Sequence, residues 1–265
     1  MSERYAVIGH PVAHSKSPLI HAEFARATGQ DIEYLRIEVA RGGFRRAVDE
    51  FRAAGGTGLN VTLPFKNEAF EYCGQASERA RVAAAVNTLV FREPVFGDNT
   101  DGVGLVRDLS HNLNFDLRGS RTLLMGAGGA AQAVVGALRE AGVAELVVVN
   151  RTLDRAQAVA ARFPGTRACG YADLGGESFR LIVNATSAGL LDEAPPLPAS
   201  IFSRDALAYD MVYGRETPFL AAARAAGARV SDGLGMLVEQ AAESFFVWRH
   251  VRPETAPVLR KLRGG

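Results

Sequence analysis

Two cysteines, Cys73 and Cys169, are all that the 265 residues contain, and neither stands in a CxxC pair or a Cys/His cluster. That scarcity leaves no disulfide framework and no zinc site to organise the fold. No apolar stretch approaches the ~20 residues that span a bilayer. The opening run of MSERYAVIGH is cut short by Gly9, so a secretory leader is not expected there. A cytoplasmic protein is expected, and the sequons at Asn60, Asn150 and Asn184 are then chance. Charge of one sign is also missing: Lys plus Arg number 30, Asp plus Glu 29, net +1. Such a balance gives no electrostatic reason to expect nucleic acid or a membrane as partner. Any anion must be gripped by a local site, and the expected partner is a small molecule. Solenoid-length repeats and low-complexity tracts are absent too.

What is present is ordinary globular material, 48% hydrophobic and 22% charged. Residues 4–8 form a short apolar run ending at Gly9, which predicts a strand. Ser17-Pro18 predicts a helix start, with serine at the cap, and Gly29 its end. Residues 32–39 alternate like a half-buried strand, and 43–54 return to helical period. LNVTLP reads as a strand, followed by a short helix and then the strand VNTLVF. This alternation favours a mainly parallel α/β sheet.

A second series follows the loop Gly97–Asp101 and the helix after it. RTLLM is a strand, GAGGAAQAVVGALREAG a glycine-led helix, ELVVVN a strand and TLDRAQAVAARF a helix. LIVNAT and AYDMVY are further strands, so repeating βαβ units of a doubly wound sheet are expected. From Gly233 the pattern is helical again, with a short helix after Pro253.

The turn Gly126-Ala127-Gly128-Gly129-Ala130-Ala131 matches G-x-G-x-x-A between a strand and a helix. Gly126 permits the tight turn, Gly128 lets a pyrophosphate approach the backbone, and small Ala131 allows close helix–strand packing. A pyrophosphate would sit on the free N–H groups of that helix. No Gly-Lys-Ser/Thr follows, which excludes a phosphate loop of the NTPase type. The next strand ends in Asn150-Arg151-Thr152, with Arg155 beyond, where an NAD enzyme usually carries Asp or Glu for the ribose 2′-hydroxyl. Two guanidinium groups can instead bind a 2′-phosphate. Their positive charge opposes the macrodipole at a helix start, so a compensating anion is expected and NADP is preferred to NAD.

His14-Ser15-Lys16-Ser17-Pro18 sets two hydroxyls two residues apart at a helix start, where a carboxylate can be held. Read alone, Ser17 serves equally as a simple N-cap, and His14 as a turn residue. In Asn60-Val61-Thr62-Leu63-Pro64-Phe65-Lys66, Asn60 and Thr62 share a strand face by period two, and Lys66 follows. Asn87 and Asp101 add an amide and a carboxylate at loop ends. Buried amides and acids demand partners, and a polyhydroxy ligand supplies them.

YAVIGHPVAHSKSPLIH, NVTLPFK, AVNTL, DNTDGVG, GAGGA, NRT, NATSAG and GMLVEQAA occur in order along nearly the whole chain. Together they closely resemble the bacterial shikimate dehydrogenase family. The resemblance implies an N-terminal α/β substrate domain, residues 1–102 with 238–265, and a Rossmann-type NADP-binding domain, residues 103–237, with a C-terminal helix returning to the first. It implies that Ser15 and Ser17 hold the ring carboxylate and that Thr62, Asn87, Asp101 and Gln240 bind ring hydroxyls. Lys66 and Asp101 match the catalytic pair, and Tyr213 is expected to face the substrate. Met211 and Gly233 match positions near the nicotinamide, with Thr186 on the cofactor side. No metal is implied, and a monomer or homodimer is expected.

Oxidising a secondary alcohol removes a hydride from carbon and a proton from oxygen. Lys66, alone or with Asp101 and a water, is expected to handle the proton, and its ammonium is the proton donor in the reductive direction. Family members that also take quinate and NAD tend to carry an acid where Asn150 stands, so strict shikimate and NADP specificity is expected. The alternatives are a quinate/shikimate enzyme of mixed specificity and a non-catalytic NADP-binding sensor. A methylenetetrahydrofolate dehydrogenase accounts poorly for the paired serines.

Overall fold

Strand and helix alternate through most of the chain in the computed structural model, which describes residues 2–186 and 195–264. The chain divides into two compact units, Met1–Leu105 with Leu237–Gly265, and Val106–Met236.

The first unit is built on a six-stranded sheet. Its strands are β1 (Glu3–Gly9), β2 (Ile32–Glu38), β3 (Gly56–Val61), β4 (Gln75–Ala76), β5 (Thr88–Val90) and β6 (Phe96–Asp98), in the spatial order β2-β1-β3-β5-β6-β4. β1 pairs in parallel with β2 and β3, and β4 with β6, whereas β5 runs antiparallel to both β3 and β6. The sheet is therefore mixed: the link from β5 to β6 is only five residues, too short for a crossover helix, so those two strands run antiparallel. Alternate residues of β1 serve opposite faces. Ala6 and Ile8 join the core of α2 (Phe44–Ala53), around Phe44 and Val48. Tyr5 stacks instead on Trp248, ring centroids 4.5 Å apart. Trp248 belongs to the long helix α9 (Leu234–Arg249), which packs with α1 (Ser17–Thr28) and α10 (Ala256–Leu262) through Ile20, Phe24, Phe245 and Val258. The C-terminal helices thus complete the first unit.

The second unit carries β7 (Arg121–Met125), β8 (Glu145–Val149), β9 (Thr166–Cys169), β10 (Phe179–Asn184), β11 (Phe202–Asp210) and β12 (Arg229–Ser231). All its pairings are parallel, in the order β12-β11-β10-β7-β8-β9. That is the doubly wound order, whose switch point lies between β7 and β10. α6 (Gly129–Glu140), α7 (Leu153–Arg162) and α8 (Pro218–Ala225) are its principal helices. Parallel strands buried on both faces need near-continuous apolar runs, and the fully buried runs Leu123–Met125, Leu146–Val149 and Leu181–Val183 supply them.

Three local readings of the sequence need correction. Helix α1 begins with Ser17 inside its first turn and Lys16 at the cap position, so the Ser17 side chain does not cap it. β3 ends at Val61, and Thr62 lies just beyond, its N–H bonding Ile8 O at 2.9 Å. Between β3 and β5 the chain makes two short helices, α3 (Lys66–Tyr72) and α4 (Glu78–Ala83), with β4 between them. β6, β9 and β12, of three or four residues each, are too short for a periodicity to show. No helix among the described residues is long and apolar enough to cross a membrane.

Candidate active site

Lys66 opens α3 directly after the turn that follows β3, which fixes its backbone at the sheet's end. Its Nζ donates to Asp101 Oδ2 at 2.5 Å. Asp101 begins α5 (Asp101–Arg107). The other carboxylate oxygen, Oδ1, accepts from Asn87 Nδ2 at 2.9 Å. Asn87 Nδ2 also reaches Gln240 Oε1 of α9 at 3.3 Å. The Asn87 amide cannot flip, because its Oδ1 accepts from the Thr100 N–H and from the Thr88 hydroxyl, each at 2.9 Å. It therefore presents only donors to Asp101. A buried carboxylate given an ammonium on one oxygen and an amide on the other has its orientation fixed by geometry.

The loop that brings Asp101 to Lys66 is itself braced. Arg79 grips Asp98 with both ends of its guanidinium, at 2.7 and 2.5 Å, and donates to Glu243 of α9 at 3.0 Å. Ser77 Oγ and the Asn99 N–H also bond Asp98. Burial pushes the Asp98 carboxyl up, but these donors outweigh it and hold it below the usual range. Asn99 in turn donates to Ala85 O at 3.0 Å and accepts from the Asp101 N–H at 3.1 Å.

Ser15 and Ser17 stand with their hydroxyl oxygens 3.2 Å apart. Thr62 opens the turn, closed by the Phe65 N–H on its carbonyl oxygen at 3.0 Å, that leads to Lys66. Of the residues expected at a ring site, the structure bonds together Lys66, Asp101, Asn87 and Gln240, and places Ser15 with Ser17. Tyr213 belongs to the second unit, following β11. The sequence reading missed Thr88, Thr100, Ser244 and Tyr34, all of which enter the polar network below the site. Ser244 was within reach, since it stands one helical turn from Gln240 on α9 and bonds Thr88 Oγ1 at 2.8 Å.

In the second unit the turn after β7 lies at the switch point. Gly126 has φ +103°, which favours glycine, and a Cβ there would also crowd Ala185 O at 3.2 Å. A Cβ on Gly128 or Gly129 would meet no protein atom within 4 Å. No packing inside the described protein explains those glycines, whereas a pyrophosphate laid on the backbone does. Gly128 caps α6 without a side chain and no acid stands in the first turn, so its N–H groups remain available to an anion. Ala131 is fully buried against the sheet, and Ala127 and Ala130 complete the turn.

Asn150 follows β8 and its Nδ2 donates to Thr152 O at 2.8 Å, shaping the turn into α7. Arg151, Thr152 and Arg155 are exposed there. Neither arginine has a side-chain hydrogen bond or ion pair among the described residues, although Asp154 stands in the first turn. These features fit a dinucleotide bearing a 2′-phosphate.

After β10, Thr186 donates through N and Oγ1 to Asn184 Oδ1, at 3.1 and 2.7 Å. Asn184 Nδ2 donates to Asp210 Oδ2 at 3.0 Å, beside the Thr217 hydroxyl at 2.6 Å. Burial raises the Asp210 carboxyl, against the pull of Thr217, the Val212 N–H and Asn184. Gly233 packs on the Met211 backbone, where a Cβ would fall 2.4 Å from the carbonyl oxygen. Residues 187–189, the remainder of the NATSAG motif, lie outside the described residues.

Comparison with known proteins gives three family matches. Residues 7–89 match the shikimate dehydrogenase substrate binding domain, 108–190 the shikimate / quinate 5-dehydrogenase family, and 233–263 the shikimate 5′-dehydrogenase C-terminal domain. A shikimate dehydrogenase (NADP(+)) of Methylobacillus flagellatus is 55% identical over 267 residues, covering 98% of this chain and 99% of the relative. Among solved structures, an Ael1 enzyme from Pseudomonas putida is 48% identical with a TM-score of 0.94, covering 98% of each chain. A shikimate 5-dehydrogenase from Thermus thermophilus, in complex with NADP(H) and shikimate, is 39% identical with a TM-score of 0.90, covering 99% of each chain.

Proposed function

The chain belongs to the shikimate dehydrogenase family, and from that premise we propose how its own residues divide the work. It is an NADP-dependent oxidoreductase that reduces 3-dehydroshikimate to shikimate in aromatic amino-acid biosynthesis. NADPH, when bound, supplies the hydride to the carbonyl carbon. The carbonyl oxygen must then gain a proton, and the Lys66 ammonium delivers it. The Asp101 carboxylate, 2.5 Å away, keeps the Lys66 head group in place and accepts from the substrate's neighbouring hydroxyls. Asn87 and Gln240 act with it on the ring hydroxyls, as does Thr62. Ser15 and Ser17 receive the ring carboxylate, and Tyr213 is a further substrate residue.

The dinucleotide lies on Gly126, Ala127, Gly128, Gly129 and Ala130. Arg151 and Arg155, with Asn150 and Thr152, take the 2′-phosphate. Thr186, Met211 and Gly233 stand on the nicotinamide side. The first unit is the substrate domain and the second the NADP domain. An amide at Asn150, where an acid would repel the 2′-phosphate, supports strict NADP use.

The observation that carries the chemistry is the shielded Lys66–Asp101 pair. The experiment is nicotinamide absorbance with shikimate or quinate against NADP or NAD. Rapid reduction with shikimate and NADP alone supports the whole reading. Turnover of quinate, or with NAD, keeps the mechanism and overturns the strict specificity. Binding of NADP without turnover would make the protein a sensor.

A further inference from the structure

The paired serines rest on a cluster that the reaction does not itself require. On β2, Tyr34 and Arg36 alternate to the same face. The Arg36 guanidinium donates twice to the Ser15 carbonyl oxygen, at 3.1 and 2.6 Å. The Tyr34 hydroxyl donates to Asn60 Oδ1 at 2.8 Å. Asn60 is buried in β3, and its Nδ2 is already committed to Asn87 O, Thr88 Oγ1 and Ser244 Oγ. The Tyr34 ring lies flat on His21, centroids 4.2 Å apart and planes 6° from parallel. His21 stands four residues beyond Ser17 on α1, so it shares that helix face. Burial raises the Tyr34 phenol well above its ordinary range, with the Ser17 hydroxyl and Arg36 pulling the other way.

One serine is thus tied through its carbonyl to Arg36. The helix turn carrying the other is clamped by Tyr34 through His21 and joined to β3 through Asn60. We propose that Tyr34 and Arg36 are positioning residues for the carboxylate anchor, holding the Ser15 and Ser17 hydroxyls at a separation that receives one carboxylate. Neither touches the reacting atoms. The inference rests on the proposed role of the two serines.

The test is steady-state kinetics with shikimate and NADP each varied at saturation of the other, and with the methyl ester of shikimate used as substrate or as competitive inhibitor. Tyr34→Phe and Arg36→Gln should each raise KM for shikimate about tenfold, the loss of one hydrogen bond's worth of alignment. kcat and KM for NADP should stay within about twofold. The preference for acid over ester should fall by the same factor as KM rises, while Arg36→Lys recovers part of it. Acid and ester weakening in parallel, or kcat falling at constant KM, would show a merely structural role and overturn the proposal. If Tyr34→Phe does not fold, the exposed Arg36 variant carries the test alone. Ser17→Ala separates the two layers. An unchanged acid preference there overturns the serine reading and this inference with it. A lost preference there, with Tyr34 and Arg36 variants unaffected, overturns this inference alone.

Discussion

Lys66 and Asp101 stand 35 residues apart in the chain, yet their side chains meet at 2.5 Å with only 16% and 7% of their surface exposed. Solvent screens such a pair weakly. Its geometry is set by α3, α5 and the Asn87 amide, so an ammonium hydrogen is held at one defined position. That is what positioned proton transfer requires.

Replacing Lys66 by alanine should therefore lower kcat by ~10²–10⁴ with a modest change in KM for shikimate. A large rise in KM at preserved kcat would make Lys66 a binding residue and leave the proton to another group.

Arg151→Ala should weaken NADP far more than NAD, read as the two dissociation constants by fluorescence titration. A guanidinium on a phosphate contributes roughly 1.5–3 kcal/mol, so a loss of at least tenfold is expected for NADP alone. Equal losses for both dinucleotides would dismiss the 2′-phosphate assignment.

Gly128→Ala and Gly126→Ala should behave differently. The Gly128 Cβ meets nothing within 4 Å, so Tm should be unchanged while NADP affinity drops. At Gly126 both the positive φ and the Ala185 carbonyl resist a side chain, and stability should fall by about 1–3 kcal/mol. Wild-type NADP affinity in folded Gly128→Ala would remove the pyrophosphate from this turn.

Arg79→Met leaves the buried Asp98 without its bidentate partner. Urea unfolding should report a loss on the order of 3 kcal/mol, and kcat should fall because the Asp98–Asp101 loop loses its brace. Loss of stability without loss of kcat would confine Arg79 to folding.

His21 is fully buried, neither ring nitrogen has a partner of hydrogen-bond geometry among the described residues, and burial, against a weaker pull from the Asn60 side chain, lowers its pKa from 6.5 to about 3. The unfolded chain binds a proton that the folded chain refuses between those values. This contribution to stability is whole above about pH 6.5 and is lost as pH falls toward 3, at ~1.4 kcal/mol per unit. His21→Phe keeps the aromatic stack on Tyr34 and removes the proton, so its acid-unfolding midpoint should move to lower pH. An unmoved midpoint would place the acid sensitivity elsewhere, with Asp98 the next group to examine.

The sequence by itself determined what consecutive residues build. The strand, the Gly126–Ala131 turn and α6 are contiguous, and the arginines that follow β8 sit in the next unit of the same motif, so cofactor class was legible without a tertiary contact. The alternation of strand and helix likewise revealed the parallel sheet of the second unit. The first unit's sheet is mainly parallel as the alternation predicts, but the antiparallel β5 was not legible, because it pairs with β3 and β6 through contacts that no local period records.

Only the tertiary structure decided which distant polar groups meet. Gln240 reaches Asn87 across 153 residues, and Tyr34 reaches Asn60 from a strand that shares no pairing with β3. The physical reason is that a hydroxyl or amide carries no signature of its partner in the chain. Sheet order and helix packing bring such groups together, and burial then obliges them to bond.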